Sequence, residues 1–309
     1  MQEEQPLVSI IVITYNSAKY VLETLESAKA QTYQNIELIL SDDGSTDSTI
    51  SICKEWIEKN NWRFARTEII TSVFNTGIPA NLNRGIKSSN GKYIKTIAGD
   101  DALTTVCIER YVEESINDNQ KLVMFSNVIH YMNTFDEKNR LPFFETGNLE
   151  IARLDITPKE HFEILLRMNF VWAGSLFFNR KVFEIVGLFD ESMRLLEDLP
   201  MLHKITKNNI KLYFINFISC KYRKSNDSVQ RNNKDTLVSE FDTMVASYHL
   251  GNIHYYSPLE RIVYMVKLKT TILLGQKKIK QSNIIAKVFY SIIFHISKYF
   301  LKRLNKKYL

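Results

Sequence analysis

Four short runs rich in β-branched and aliphatic residues punctuate the first hundred positions of this chain: residues 8–13, 36–40, 67–73 and 93–98. Helical periodicity fills the intervals. Val21, Leu22, Leu25 and Ala28 follow the first run, Ile50, Ile52, Cys53, Trp56 and Ile57 the second, and Leu82 and Ile86 the third. Strand and helix in strict alternation predict a mostly parallel, twisted sheet flanked by helices. Such a sheet binds ligands outside the carboxyl ends of its strands. Two of the four runs lead at that end into an acidic doublet, Asp42-Asp43 and Asp100-Asp101. Adjacent carboxylates repel each other and gain from a divalent cation, and hard cations bridge carboxylates to phosphate oxygens. The pattern therefore predicts a nucleotide-diphosphate site, one doublet at the nucleoside end and the other at a Mn or Mg ion.

A chain of 309 residues with 45% apolar and 24% charged content has room for one large α/β domain and an appendage. Past residue 104 the alternation loosens. The pattern predicts a helix over 106–114, a strand over 122–125, irregular chain over 130–157, a helix over 158–168 and a buried strand over 171–179. A short helix over 197–207 and a strand over 210–215 follow, and from about 235 the chain reads as helical throughout. Gly91 is expected to end the third helix. Cys53, Cys107 and Cys220 are scattered and form neither a metal-ligand spacing nor a disulfide framework, which favours a reducing compartment. The first residues lack the basic-then-apolar order of a signal peptide. There is no Gly-x-Gly-x-x-Gly, P-loop or Gly-x-Ser-x-Gly, and His249 and His254 have the wrong spacing for a zinc motif.

The ordered motifs Val8–Asn16, Gln31–Leu38, Asp42-Asp43-Gly44-Ser45-Thr46-Asp47, Asn75-Thr76-Gly77 with Asn83, Gly91–Ile94, Gly99-Asp100-Asp101 and Glu197-Asp198 together resemble the family 2 glycosyltransferases, nucleotide-sugar enzymes of the GT-A fold. The resemblance covers roughly residues 6–225. It implies a GT-A, Rossmann-like domain over 1–225 and leaves 226–309 as a helical, basic extension. It places Thr14, Tyr15 and Asn16 at the nucleotide crevice and gives Asp43 the uracil N3–H, while Asp42 shapes the turn. It assigns Asp101 to the metal, Asp100 to the ribose or the ion, and Asp198 to the catalytic base. The family's usual Asp-x-Asp-Asp carries Ala98 at its first position here. Arg223 and Ser228 resemble diphosphate contacts on a flexible closing loop, since a guanidinium fork suits phosphate. The implied activity is inverting, metal-dependent transfer of a hexosyl or N-acetylhexosaminyl group, with a UDP-sugar as the expected donor. The acceptor would be a hydroxyl of a glycan or lipid-linked oligosaccharide in surface polysaccharide assembly. A sugar-nucleotide nucleotidyltransferase would need a Gly-rich basic loop after the first strand, which Thr14–Ser17 lacks. A non-catalytic scaffold would be expected to lose Asp101 or Asp198.

The net charge of +6 belongs to the tail. Residues 261–309 carry 12 Lys or Arg and no Asp or Glu, and the remainder is acidic. Lys287, Ser291, His295, Lys298, Lys302 and Lys306 trace a polar stripe at helical spacing between apolar residues. The longest uncharged run, residues 288–297, is shorter than a bilayer-spanning helix requires. The expectation is an amphipathic helix over 281–309 lying on an anionic membrane, on the cytoplasmic side. No nucleic-acid-binding module is recognisable.

Overall fold

Strand β1 (Val8–Thr14) is buried along nearly its whole length, as a mostly apolar run requires of a strand covered on both faces. The computed structural model describes residues 5–143, 145–225 and 236–304. Helix α1 (Val21–Lys29), β2 (Ile36–Asp42), α2 (Thr49–Asn60), β3 (Arg66–Thr71), α3 (Ile78–Ser88) and β4 (Tyr93–Ala98) then follow in the expected alternation. β1 pairs in parallel with β2 and with β4, and β2 with β3. The register sets Thr14 beside Asp42 and Ile13 beside Ala98. Both acidic doublets therefore leave the sheet at one edge. At the opposite edge the fully buried Glu37 ties three segments together. Its carboxylate accepts from Ser9 Oγ (2.6 Å), Gly91 N (2.8 Å), Asn90 N and Arg66 (3.0 Å). Burial alone would raise its pKa, but these donors outweigh burial and hold it below the usual carboxylate range. Gly91 thus belongs to the approach to β4, and α3 ends earlier, at Ser88.

The second half adds β5 (Ala102–Leu103), α4 (Cys107–Asn117), β6 (Val123–Met132), α5 (Pro158–Leu165), β7 (Phe177–Asn179), α6 (Lys181–Val186), α7 (Asp198–Lys207) and β8 (Leu212–Lys224). The eight strands run β3-β2-β1-β4-β7-β6-β8-β5. β7 is antiparallel to both β4 and β6, β6 is parallel to β8, and β5 is antiparallel to β8. Three sequence expectations change. The strand expected over 171–179 shrinks to β7, preceded by a 3₁₀ turn, Ala173–Ser175. The strands expected over 122–125 and 210–215 are only the beginnings of β6 and β8. Their continuations carry polar residues that disguise them, and these satisfy one another: Ser126 Oγ donates to Ser219 Oγ (2.6 Å) and Asn127 to Asn216 (3.1 Å). The register between β6 and β8 shifts at those same residues, as a bulge requires. Helix α5 opens with a capping box of Thr157 and Glu160 around Pro158.

The chain divides into two compact units, Met1–Lys224 and Ser225–Leu309. In the second, α8 (Glu240–Gly251), α9 (Pro258–Gln276) and α10 (Ile284–Leu304) are helical as expected, the first two opened by capping boxes at Ser239 and Ser257. Here α10 rests on α9, where Tyr290 Oη lies 3.5 Å from Thr271 Oγ1 and Lys267 caps the Phe294 ring. Ser297 and Leu301 are buried, whereas Ile284, Ile285, Val288, Phe289, Ile292, Ile296, Tyr299 and Phe300 are exposed. By length and composition, 20 residues at a mean hydropathy of 1.4, the stretch Ile284–Arg303 is long and apolar enough to cross a membrane. The short uncharged run therefore does not exclude a span, because lysines interrupt the stretch without lowering its average below that of a crossing helix.

Candidate active site

At the first doublet the two carboxylates hold different parts of the crevice. Asp42 accepts from Thr14 Oγ1 (2.7 Å), Ser45 N (2.8 Å) and Ser45 Oγ (2.5 Å), which closes the turn that Gly44 enters at φ 76°. Asp43 is buried and accepts four hydrogen bonds. Thr76 Oγ1 and Arg84 reach Oδ1 at 2.6 Å each, and Thr76 N (2.9 Å) and Gly77 N (2.7 Å) reach Oδ2. Burial raises its pKa, but these donors outweigh it and leave the carboxylate below its usual range. A carboxylate has about four lone-pair sites, and all four of Asp43 are engaged. A uracil N3–H could reach it only by displacing one of these donors. Thr14 is buried and committed to Asp42. Asn16, in the left-handed region at φ 50°, clamps the facing turn through Thr46 N (2.8 Å) and Ser45 Oγ (2.8 Å). Tyr15, 47% exposed, is the member of this trio whose ring faces solvent.

In the second doublet Asp101 is buried and Asp100 partly exposed. Asp101 Oδ1 accepts from Arg223 N at 2.8 Å, while Oδ2 accepts no hydrogen bond among the described residues. Burial, and then the charge of Asp100, push Asp101 well above the usual carboxylate range; burial likewise raises Asp100. Lys95 points inward from β4, fully buried, with its ammonium donating to Thr96 O and Gly174 O at 2.7 Å each. Arg223 departs from expectation. It lies in β8 rather than on a flexible loop. Its guanidinium donates to Asp100 O (2.7 Å) and Asn133 O, lies 3.0 Å from Glu23 and sits between the rings of Tyr20 and Phe135. Those contacts make Arg223 part of the frame of the Asp100-Asp101 turn. Ser228 lies outside the described residues.

Glu197 and Asp198 begin α7. Burial, then its neighbour's charge, raises the pKa of Glu197, and burial raises that of Asp198. Asn169 Nδ2 donates to Asp198 Oδ2 (2.8 Å), and Leu199 N to Oδ1 (2.7 Å). The loop before α7 docks on the first doublet's side, since Ile78 N donates to Arg194 O at 2.8 Å. Gly77 permits this approach at φ 101°, where a Cβ would come within 2.7 Å of that carbonyl oxygen. One short segment joins the two acidic centres. It starts at Asn169 on Asp198 and reaches Gly174, where an added Cβ would stand 3.8 Å from Asp101 Oδ2. Burial raises the Tyr222 phenol, and the charges of Asp101, Asp100 and Glu197 raise it further.

Among the described residues no three His, Cys, Asp or Glu side chains converge as a metal cage. Mg and Mn do not need one, because they commonly take one or two carboxylates and complete their shell with phosphate oxygens and water. The unengaged Oδ2 of Asp101 beside Asp100 fits that requirement.

The sequence profile described as Glycosyl transferase family 2 matches residues 9–187. The chain belongs to glycosyl transferase family 2. Relatives include the glycosyltransferase GlyG of Streptococcus pneumoniae, 30% identical over 74% of this chain and 74% of its own length. The uncharacterized glycosyltransferase EpsJ of Bacillus subtilis is 30% identical over 63% of this chain and 54% of that protein. The chain thus spans about half the length of EpsJ. Among solved structures, S. aureus TarS superposes with a TM-score of 0.58 at 17% identity, over 85% of this chain and 43% of that one. TarS 1-349 in complex with UDP-GlcNAc gives 0.58 at 16% identity, over 92% and 79%. These structures share the GT-A fold. In this family 2 glycosyltransferase the sequence pattern shows Thr76 within Asn75-Thr76-Gly77 without its role at Asp43, and does not mark Asn169, Arg84 or Lys95. Asn169 lies in a loop without periodicity, and Lys95 reads as a solvent-facing interruption of a strand.

Proposed function

We propose that this glycosyltransferase moves a sugar from a UDP-linked donor to a hydroxyl of a glycan or lipid-linked acceptor, with inversion. The observation that carries the reading is that one short segment links two carboxylate pairs, Asp100-Asp101 and Glu197-Asp198: Asn169 at its start donates to Asp198 Oδ2 (2.8 Å), and a Cβ on Gly174 at its end would stand 3.8 Å from Asp101 Oδ2. TarS 1-349 has been seen with UDP and with UDP-GlcNAc, which supports a UDP-sugar as donor here. Asp101, with Asp100, would hold a Mn or Mg ion, which would stabilise the charge of the leaving diphosphate. Asp198 takes the proton of the acceptor hydroxyl, and its raised pKa suits a base working nearer neutrality than a free carboxylate. Asn169 fixes one oxygen of that base and Leu199 N the other. Tyr15 borders the base of the nucleotide, and Thr14, Asn16 and Asp42 shape the crevice. The exposed apolar and basic faces of α10 support a role at an anionic membrane surface, which suits a lipid-linked acceptor in surface polysaccharide assembly.

Donor turnover tests this directly. UDP-GlcNAc, UDP-glucose and UDP-galactose are each incubated with protein in Mn, in Mg or in chelator, and UDP release is followed. The expected result is metal-dependent release from at least one donor, lost in Asp101→Ala. Turnover of Asp101→Ala at the wild-type rate would overturn the metal assignment.

A further inference from the structure

We infer that the rings of Trp172 and Tyr222 form a platform for a pyranose ring of the acceptor, between the base and the metal carboxylates. The inference rests on the donor reading above and adds to it the residues that recognise the second substrate. Trp172 lies midway along the segment that starts on Asp198 at Asn169 and ends against Asp101 at Gly174. The same segment is pinned at both ends: Val171 N donates to Asn169 Oδ1 (3.0 Å), and Lys95 donates to Gly174 O (2.7 Å). The indole thus has a fixed height between the two acidic centres.

The rings around it are ordered by packing. His130 meets Trp172 edge to face at 4.3 Å and Tyr222 at 5.2 Å, and the Trp172 and Tyr222 centroids are 5.8 Å apart. His130 is buried, and its Nδ1 has no partner among the described residues. Its two aromatic neighbours therefore hold the imidazole, and it in turn wedges them. Trp172 and Tyr222 are only partly buried, although both pack on the core. Both rings sit next to the metal carboxylates in the chain's path: Arg223 N, one residue after Tyr222, donates to Asp101 Oδ1 (2.8 Å), and Gly174, two residues after Trp172, packs against Asp101 Oδ2.

The chemistry of the two substrates decides the occupant. A nucleotide donor has ionic and hydrogen-bonding handles in its diphosphate and base. A neutral sugar acceptor has no ionic handle, so its affinity must come from hydroxyl contacts and from its apolar C–H face. An aromatic face supplies both apolar area and a negative quadrupole for that C–H face. Binding sites of this kind are largely aromatic, with a few placed polar groups, and Asp198 is the polar group at this end of the segment. The substrate class is a pyranose with one face free of axial hydroxyls over most of the ring.

The test uses the full chain with UDP and Mn, into which octyl β-glucoside, octyl β-galactoside and octyl N-acetyl-β-glucosaminide are titrated. Binding is read by saturation-transfer NMR, and UDP affinity is measured calorimetrically on each variant. The expected result is that the wild type binds at least one glycoside through its ring C–H protons. Trp172→Ala should weaken that binding by roughly 10-fold or more, Trp172→Phe should restore most of it, and UDP affinity should hold in both. Tyr222→Ala against Tyr222→Phe should repeat the pattern, which guards against a single variant that does not fold. Wild-type protein that binds UDP but no glycoside, or Trp172→Ala that binds glycoside normally, overturns the platform. Loss of UDP affinity in both Trp172 variants also overturns it, by placing the ring on the donor side. Failure of the wild type to bind UDP at all would instead sink the donor reading itself.

Discussion

Asp198 shows how far one residue's surroundings set its chemistry. An exposed Asp ionises near pH 3.9, where it is too weak a base to draw a proton from a sugar hydroxyl. Burial lifts this one, while Asn169 and Leu199 N hold its two oxygens in place. The base works in its ionised form, so activity is lost as pH falls through its raised pKa. The acid limb of the kcat profile should therefore lie above the position of an unperturbed Asp. Asp198→Asn keeps the shape, retains a carbonyl oxygen for one of the two donors and removes the basicity. We expect kcat to fall by about 10² or more while UDP affinity stays near wild type. Stopped assays across pH, paired with UDP calorimetry, would show this. Lost UDP affinity with unchanged kcat would make Asp198 a structural cap instead.

At the scale of elements, the parallel half of the sheet was legible and the rest was not, for one physical reason. β1, β2 and β4 are covered on both faces, so their sequences are mostly apolar runs, broken by polar positions such as Ser9, Glu37 and Lys95. β6 and β8 bury Ser126, Asn127, His130, Ser219 and Arg223, and such polar residues read as loop until their partners across the sheet are known. The site divides in the same way. Asp101 and Asp198 show in the sequence as acidic doublets at element ends. Lys95 and Asn169 do not, because their partners are 79 and 29 positions away. Glu37 is the clearest case of a buried polar residue that makes the fold. Its pKa is lowered in the folded chain, so its contribution is present above the unfolded carboxylate pKa and is lost as pH falls through the folded value. Glu37→Gln should cost roughly 1–3 kcal/mol at pH 7. The gap from wild type should narrow as the pH is taken below about 4. Urea unfolding at several pH values checks both, and a gap independent of pH would show that shape rather than charge matters at Glu37.

For the whole molecule, the open question is what covers α10. Its buried residues, Ser297 and Leu301, include a polar one, while Val288, Phe289, Ile292, Ile296 and Phe300 remain exposed with Lys287, Lys298 and Lys302 nearby. An exposed apolar face of this kind marks an interaction surface, and the absence of any acidic residue from 261 to 309 selects an anionic one. Cutting the chain before α10 would uncover Thr271, buried on α9 beside Tyr290, so truncation is a poor test. Charge reversal leaves the packing alone. Each basic residue near an anionic leaflet contributes about 1 kcal/mol. Lys287→Glu with Lys302→Glu should therefore weaken co-sedimentation with phosphatidylglycerol vesicles by roughly 30-fold or more. Binding of the unaltered protein should fall as salt shortens the Debye length below about 8 Å, with little binding to neutral vesicles. A helix that spans rather than lies flat behaves differently. Protein that stays with membranes through high salt and alkaline carbonate, and ignores the charge reversals, would show that the apolar length of α10 outweighs its lysines.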